Sequence, residues 1–349
     1  MLTRFFKTSR FYVVVLLWMM GLFSVFQGNR VDAAKEQQVG PQELGTWSDV
    51  TSPVNNYFLR AVSIVSPNAA WAVGYKTATN GNPNGGIILF WDGNSWAIQT
   101  STFVSLWDVT MLSSTDGWAV GQTGSTLLGE AAILHWDGVT WSTVTIPAGC
   151  QRLTSVSMAS AATGWAVGID CIMKYSGSWS ERTYLSSTSF LDAVEAISPT
   201  DVWAVGQTEY GYLFAHYDGN NWAMNEIFAL GDRFRSLSAI SSSNIWAAGE
   251  NQGKIIRWNG EAWNLDSPIE GALYGIKMKS DADGWVVGNV ISHWDGITWT
   301  QVAGIYADRY YFGIDMKDYY GWAVGSDGRI KRYLEEIPFH YVYLPIIRR

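Results

Sequence analysis

Seven copies of Trp-Ala-Val-Gly or a near variant, beginning at Trp71, Trp118, Trp165, Trp203, Trp246, Trp285 and Trp322, constrain the fold of this chain more than any other feature. Successive copies lie 47, 47, 38, 43, 39 and 37 residues apart. A period of about 42 residues matches a four-stranded propeller blade and exceeds a leucine-rich repeat. Each copy divides into four short strands, clearest over residues 59–100, where LRAVSIVS, WAVGYK, GIILFWDG and SWAIQT follow one another. Turn-forming PNAA, STDG and SSN separate first from second strands, and Asp-Gly or Asn-Gly separates third from fourth. The pattern predicts an all-β, seven-bladed β-propeller with four-stranded blades. A charged fraction of only 15%, with 35 glycines, agrees with many short strands and tight turns.

The seventh copy lacks its last strand, because GRIKRY runs into LEEIPF without a closing Trp. The missing piece stands at the other end. TWSDVTSP, residues 46–53, matches the fourth strands SWAIQTST and TWSTVTIP, so Trp47 is expected to close the last blade and leave no free sheet edge between the ends of the ring. The propeller then spans residues 45–333 as one domain, and residues 334–349 form a tail. Eighteen of the 20 tryptophans fall in repeat columns, where they read as packing within and between blades. Trp18 and Trp107 stand outside those columns.

Residues 1–10 carry Arg4, Lys7 and Arg10, residues 11–26 are apolar, and Val31-Asp32-Ala33 offers small residues at a cleavage position. This reads as a secretory signal over residues 1–33, followed by a short leader at 34–44, with no membrane insertion once the signal is cleaved. The expected product is an exported bacterial protein, secreted or held at the cell envelope. The chain carries a net charge of −8, and removing the basic first 33 residues leaves −11. Nucleic acid is excluded as a partner, since phosphate binding needs a cationic surface.

The succession of WAVG, a third strand ending WDG, and SW or TW opening a fourth resembles secreted propellers with BNR or Asp-box-like repeats, and within them photosystem II assembly-factor-like proteins. The resemblance covers residues 45–333 and implies the fold. For function it implies a scaffold, a glycan binder or a glycosidase. One departure is that Asp92-Gly93-Asn94-Ser95-Trp96 is a residue shorter than an Asp-box, so its Asp reads as a turn former. The tail containing Tyr343-Leu344-Pro345 is similar to those of some exported bacterial proteins. It reads either as a sorting segment or as a strand on the ring's outer edge.

One column departs from the packing symmetry. A residue into each first strand the chain reads Arg60, Trp107, Thr154, Asp192, Arg235, Tyr274 and Phe312, whereas the neighbouring positions barely change. Symmetric packing does not dictate these side chains, so Arg60, Trp107, Asp192, Arg235 and Tyr274 are the candidate ligand-binding residues. Arg152, Arg233 or Arg309 can add a further arginine. The main expectation is a non-catalytic, monomeric binding or assembly module for an envelope protein or extracellular glycan. The alternative is a sialidase-like glycosidase, which the resemblance implies would use arginines, a Tyr and acidic groups around the central pocket. No catalytic residue is assigned, and no cofactor or metal is expected. His135, His216 and His293 share a third-strand column with Lys174, Arg257 and Arg332, too far out for shared ligation, and read as a solvated basic stripe. Cys150 and Cys171 lie on connections of the same face and form a candidate disulfide.

Overall fold

The computed structural model describes residues 44–78, 81–124, 129–185, 189–228, 233–266, 269–304 and 309–335. The expected signal, most of the leader and the tail from residue 336 lie outside the described residues. Among those described, no helix is long and apolar enough to cross a membrane.

Seven four-stranded antiparallel sheets form the propeller. In six of them the strand order follows the chain, and the seventh pairs Thr46–Val50 with Ile330–Leu334, as the match of TWSDVTSP predicts. The first strands are Tyr57–Ser66, Ser105–Ser113, Leu153–Ser160, Phe190–Ser198, Phe234–Ser241, Leu273–Ser280 and Tyr311–Lys317. They lie side by side around a central cavity. The end at which they begin is here called the mouth. Thr46 pairs with Leu334 at the opposite end, so both described chain ends leave away from the mouth.

Tryptophans join the blades. Each second-strand Trp is buried against the third-strand aromatic of the following blade. Trp118 meets Tyr175 at 4.9 Å, Trp203 meets Trp258 at 5.0 Å and Trp285 meets Tyr333 at 4.7 Å between ring centroids. The same contact closes the ring where Trp322 meets Trp91 at 4.8 Å. Burying rings of this size, together with the Val, Ile, Leu and Ala around them, builds the apolar core between sheets.

The third-strand stripe keeps a solvated edge, with the His135, His216 and Arg257 side chains about a third exposed, and is a packing surface as well. His135, His216 and His293 lie over Trp118, Trp203 and Trp285 at 4.2, 4.1 and 4.5 Å. Each donates from Nε2 to an Asp opening the second strand, namely Asp116, Asp201 and Asp283, at 2.9 Å. Arg257 takes the same place over Trp246 at 4.9 Å. The column is a stacking row that covers the buried tryptophans. The turn aspartates behave as read: Asp92 accepts the backbone N–H groups of Asn94 and Ser95, both at 2.8 Å, which hold its carboxyl below the usual range. Asp137, Asp218 and Asp295 repeat the arrangement.

Candidate functional site

One local device aims the variable column. In every blade the pairing of first and second strands slips at the same place: between Leu59 and Ala61 in the first, Leu106 and Asp108 in the second, and correspondingly around the ring. The residues left out of register are Arg60, Trp107, Thr154, Asp192, Arg235, Tyr274 and Phe312, and all seven line one cavity of about 360 Å3. A bulge twists its strand and redirects the extra side chain, here towards the axis. The repeated glycine makes room for it. A Cβ on Gly74, Gly121, Gly168, Gly206, Gly288 or Gly325 would overlap the carbonyl oxygen two residues before the bulged position.

Four arginines gather at the mouth. Arg233 grips Asp192 with two guanidinium nitrogens, Nε to Oδ2 at 2.5 Å and Nη2 to Oδ1. Arg235 directs both Nε, at 2.7 Å, and Nη2 to the single oxygen Oε2 of Glu250, and approaches Asp192 at 3.4 Å. Tyr274 donates its hydroxyl to Glu250 at 3.1 Å. Paired geometry of this kind fixes both carboxylates in place. Arg152 lies over Trp107, 5.0 Å from the ring, and Trp107 stacks on Tyr75 at 4.6 Å. Arg60 lies 4.6 Å over Phe312 and, among the described residues, has neither an ion pair nor a hydrogen bond.

The charges register in the protonation equilibria. Burial lowers Arg152 to about 10, with the nearby Arg233 charge acting in the same direction. Burial likewise lowers Arg60, and Arg235 adds to that effect. Burial also opposes the charge on Arg233, but contact with Asp192 more than offsets it and holds the guanidinium above its ordinary value. Burial beside Glu250 pushes the Tyr274 phenol up to about 12, so it remains a donor at neutral pH.

Three residues further along each first strand lies a second ring: Ser63, Thr110, Ser157, Glu195, Ser238, Lys277 and Asp315. Inner strands present unpaired backbone N–H groups to the axis, and this ring caps several of them. Ser63, Ser157 and Ser238 accept from Met111, Ala196 and Met278 of the next blade at 3.0, 3.0 and 2.9 Å, and Asp315 accepts from Ile64 at 2.8 Å. Asp108, beside the mouth ring, caps Val156 at 2.9 Å and accepts Ser155 Oγ at 2.8 Å, while burial pushes its carboxyl up to about 6. Lys277 meets Asp315 at 3.2 Å and is held above its ordinary value by it.

The structure thus brings Arg60, Trp107, Asp192, Arg235 and Tyr274 to one cavity, with Arg152 and Arg233, whereas Arg309 does not line it. Glu250 and Tyr75 escaped the sequence reading. Each directly follows the glycine or its counterpart in its second strand, Gly249 and Gly74, at a position that also varies between blades. Of the aromatics at the mouth ends of the blades, Phe234 and Tyr311, which open their first strands, are buried core, and Phe103, on a connection, is open to solvent. Cys150 and Cys171 are joined by a disulfide with Cα atoms 5.8 Å apart, two residues before Arg152 enters the mouth. Among the described residues no group of three or more side chains is arranged to hold a metal ion.

No protein-family model matches the chain, and no curated protein does. Solved structures do. YCF48 bound to D1 peptide is 17% identical, with 83% of this chain and 95% of that chain aligned at a TM-score of 0.63. YCF48 from Cyanidioschyzon merolae is 16% identical, covering 82% and 98%, with a TM-score of 0.61. Virginiamycin B lyase from Staphylococcus aureus is 11% identical, covering 83% and 99%, with a TM-score of 0.66. At these identities the likeness concerns the fold.

Proposed function

We propose that the chain is an exported binding module that receives an anionic segment of an envelope protein at the channel mouth. The observation that carries this reading is the contrast between Arg60 and its neighbours. Asp192 and Glu250 hold Arg233 and Arg235, whereas Arg60 faces the cavity on an aromatic wall without a carboxylate. A partly desolvated guanidinium is a strong site for a carboxylate, and the stacked Phe312 holds it in place. A cavity of about 360 Å3 admits a side chain or a strand tip rather than a folded domain. That one solved neighbour carries a bound peptide supports a protein partner over a glycan. Selection of displayed peptides on full-length protein tests the reading. Acidic sequences should be enriched on the wild type and lost on Arg60→Ala, and equal enrichment on both proteins would remove it.

A glycosidase is the second reading, favoured by the hydrogen bond from Tyr274 to Glu250. The phenol that stays protonated to about pH 12 weighs against its acting as a nucleophile. Turnover of a fluorogenic sialoside that disappears in Tyr274→Phe would reinstate it.

A further inference from the structure

The cavity carries opposite charge at its two levels. At the mouth four arginines outnumber Asp192, Glu250 and Asp108, and at the second ring Glu195 and Asp315 face only Lys277. Capping of backbone N–H groups explains Asp108 and Asp315, as it explains the serines of that ring. It does not explain Glu195. Among the described residues the Glu195 carboxylate makes no hydrogen bond, although the equivalent serines each accept one from the next blade. A carboxylate has therefore replaced a capping hydroxyl without taking over its bond, in the wall of the same cavity that holds Arg60.

We infer that the bound segment is doubly charged, with an acidic group at Arg60 and a lysine or arginine side chain reaching down the channel to Glu195. This inference rests on the binding reading above and specifies its ligand. The two levels are three residues apart along the strand, roughly 10 Å, a span that an extended segment bridges with its basic residue about three positions from its acidic one. Lys277 makes its close ion pair with Asp315 and its charge also acts on Glu195, but the Glu195 carboxylate takes no hydrogen bond from it and keeps its acceptor positions for an incoming cation. Complementary charges at both levels also fix the direction in which a segment enters, because the reversed order meets like charge twice.

Three capped peptides test this on full-length protein by calorimetric titration: one with Glu and Lys three positions apart, one with Glu and norleucine, and one with the two charges exchanged in order. The Glu and Lys peptide is expected to bind about tenfold more tightly than the norleucine peptide, and Glu195→Gln should erase that advantage. Glu195→Ser, which supplies the hydroxyl found elsewhere in the ring, should do the same while retaining the wild-type melting profile. Equal affinities for the first two peptides, or an advantage that survives both substitutions, would overturn the inference. If the norleucine peptide still binds through Arg60 in that case, the binding reading stands alone. If neither peptide binds, both fall.

Discussion

Gly74 lies against the carbonyl oxygen of Phe58 so closely that a single methyl group would displace it. This contact joins the repeat that builds the ring to the residue that faces its axis, since the strand turns out of register at Arg60, two residues after Phe58. Gly74→Ala should therefore cost about 2 kcal/mol or more, because backbone on both sides must move. Urea unfolding of the variant measures the cost. A change below about 0.5 kcal/mol would show that the bulge does not depend on the glycine.

Asp192 and Arg60 should separate stability from binding. Asp192 is 9% exposed and holds Arg233 while touching Arg235, so Asp192→Ala leaves the largely buried Arg233 guanidinium without its carboxylate and should destabilise by about 3 kcal/mol. Arg60→Ala removes a group with no ion pair and should stay within about 1 kcal/mol of wild type while abolishing anionic ligand binding. Paired unfolding and binding measurements on the two variants check this. Equal destabilisation by both would mean that Arg60 is structural.

Asp108 gives the pH dependence a definite sign. Its folded value, about 6, lies above its unfolded value, so the folded state holds an extra proton between the two. The contribution of this group is greatest below the unfolded value and is lost as pH rises through about 6. Relative to Asp108→Asn, the wild type should gain on the order of 1 kcal/mol between pH 7 and pH 5. Unfolding of both proteins at the two pH values tests it, and a flat difference contradicts it.

The Cys150 and Cys171 pair ties the strand that delivers Arg152 to the third strand of its blade, across a separation of 21 residues. Protein unfolded without reductant should show no free thiol by titration, and the double Ser variant should lose about 3 kcal/mol. Two reactive thiols would refute the bridge.

Blade count and closure were legible because the Trp-Ala-Val-Gly spacing and the stray TWSDVTSP strand follow from the packing that every blade shares. The mouth column was legible for the opposite reason: Arg60, Asp192 and Tyr274 break a symmetry that packing would preserve. What escaped depends on register. A bulge adds a residue without a composition of its own, so the reason for the repeated glycine was hidden, and with it the neighbours Glu250 and Tyr75 on the second strands. The stacking of the histidines was hidden because the Trp beneath each one sits on the adjacent strand, a partner that only register reveals. Partners from the neighbouring blade, such as Arg233 for Asp192, depend on how adjacent first strands sit side by side, which the repeat spacing does not show.

The most direct test of the account is to locate a bound ligand. A benzophenone-bearing acidic peptide, selected on wild-type protein, can be photocrosslinked to the full chain and the adduct mapped by mass spectrometry. Adducts at Trp107 or Phe312, absent in Arg60→Ala, are the predicted result. Adducts on the outer strands that persist in Arg60→Ala would contradict binding at the channel mouth.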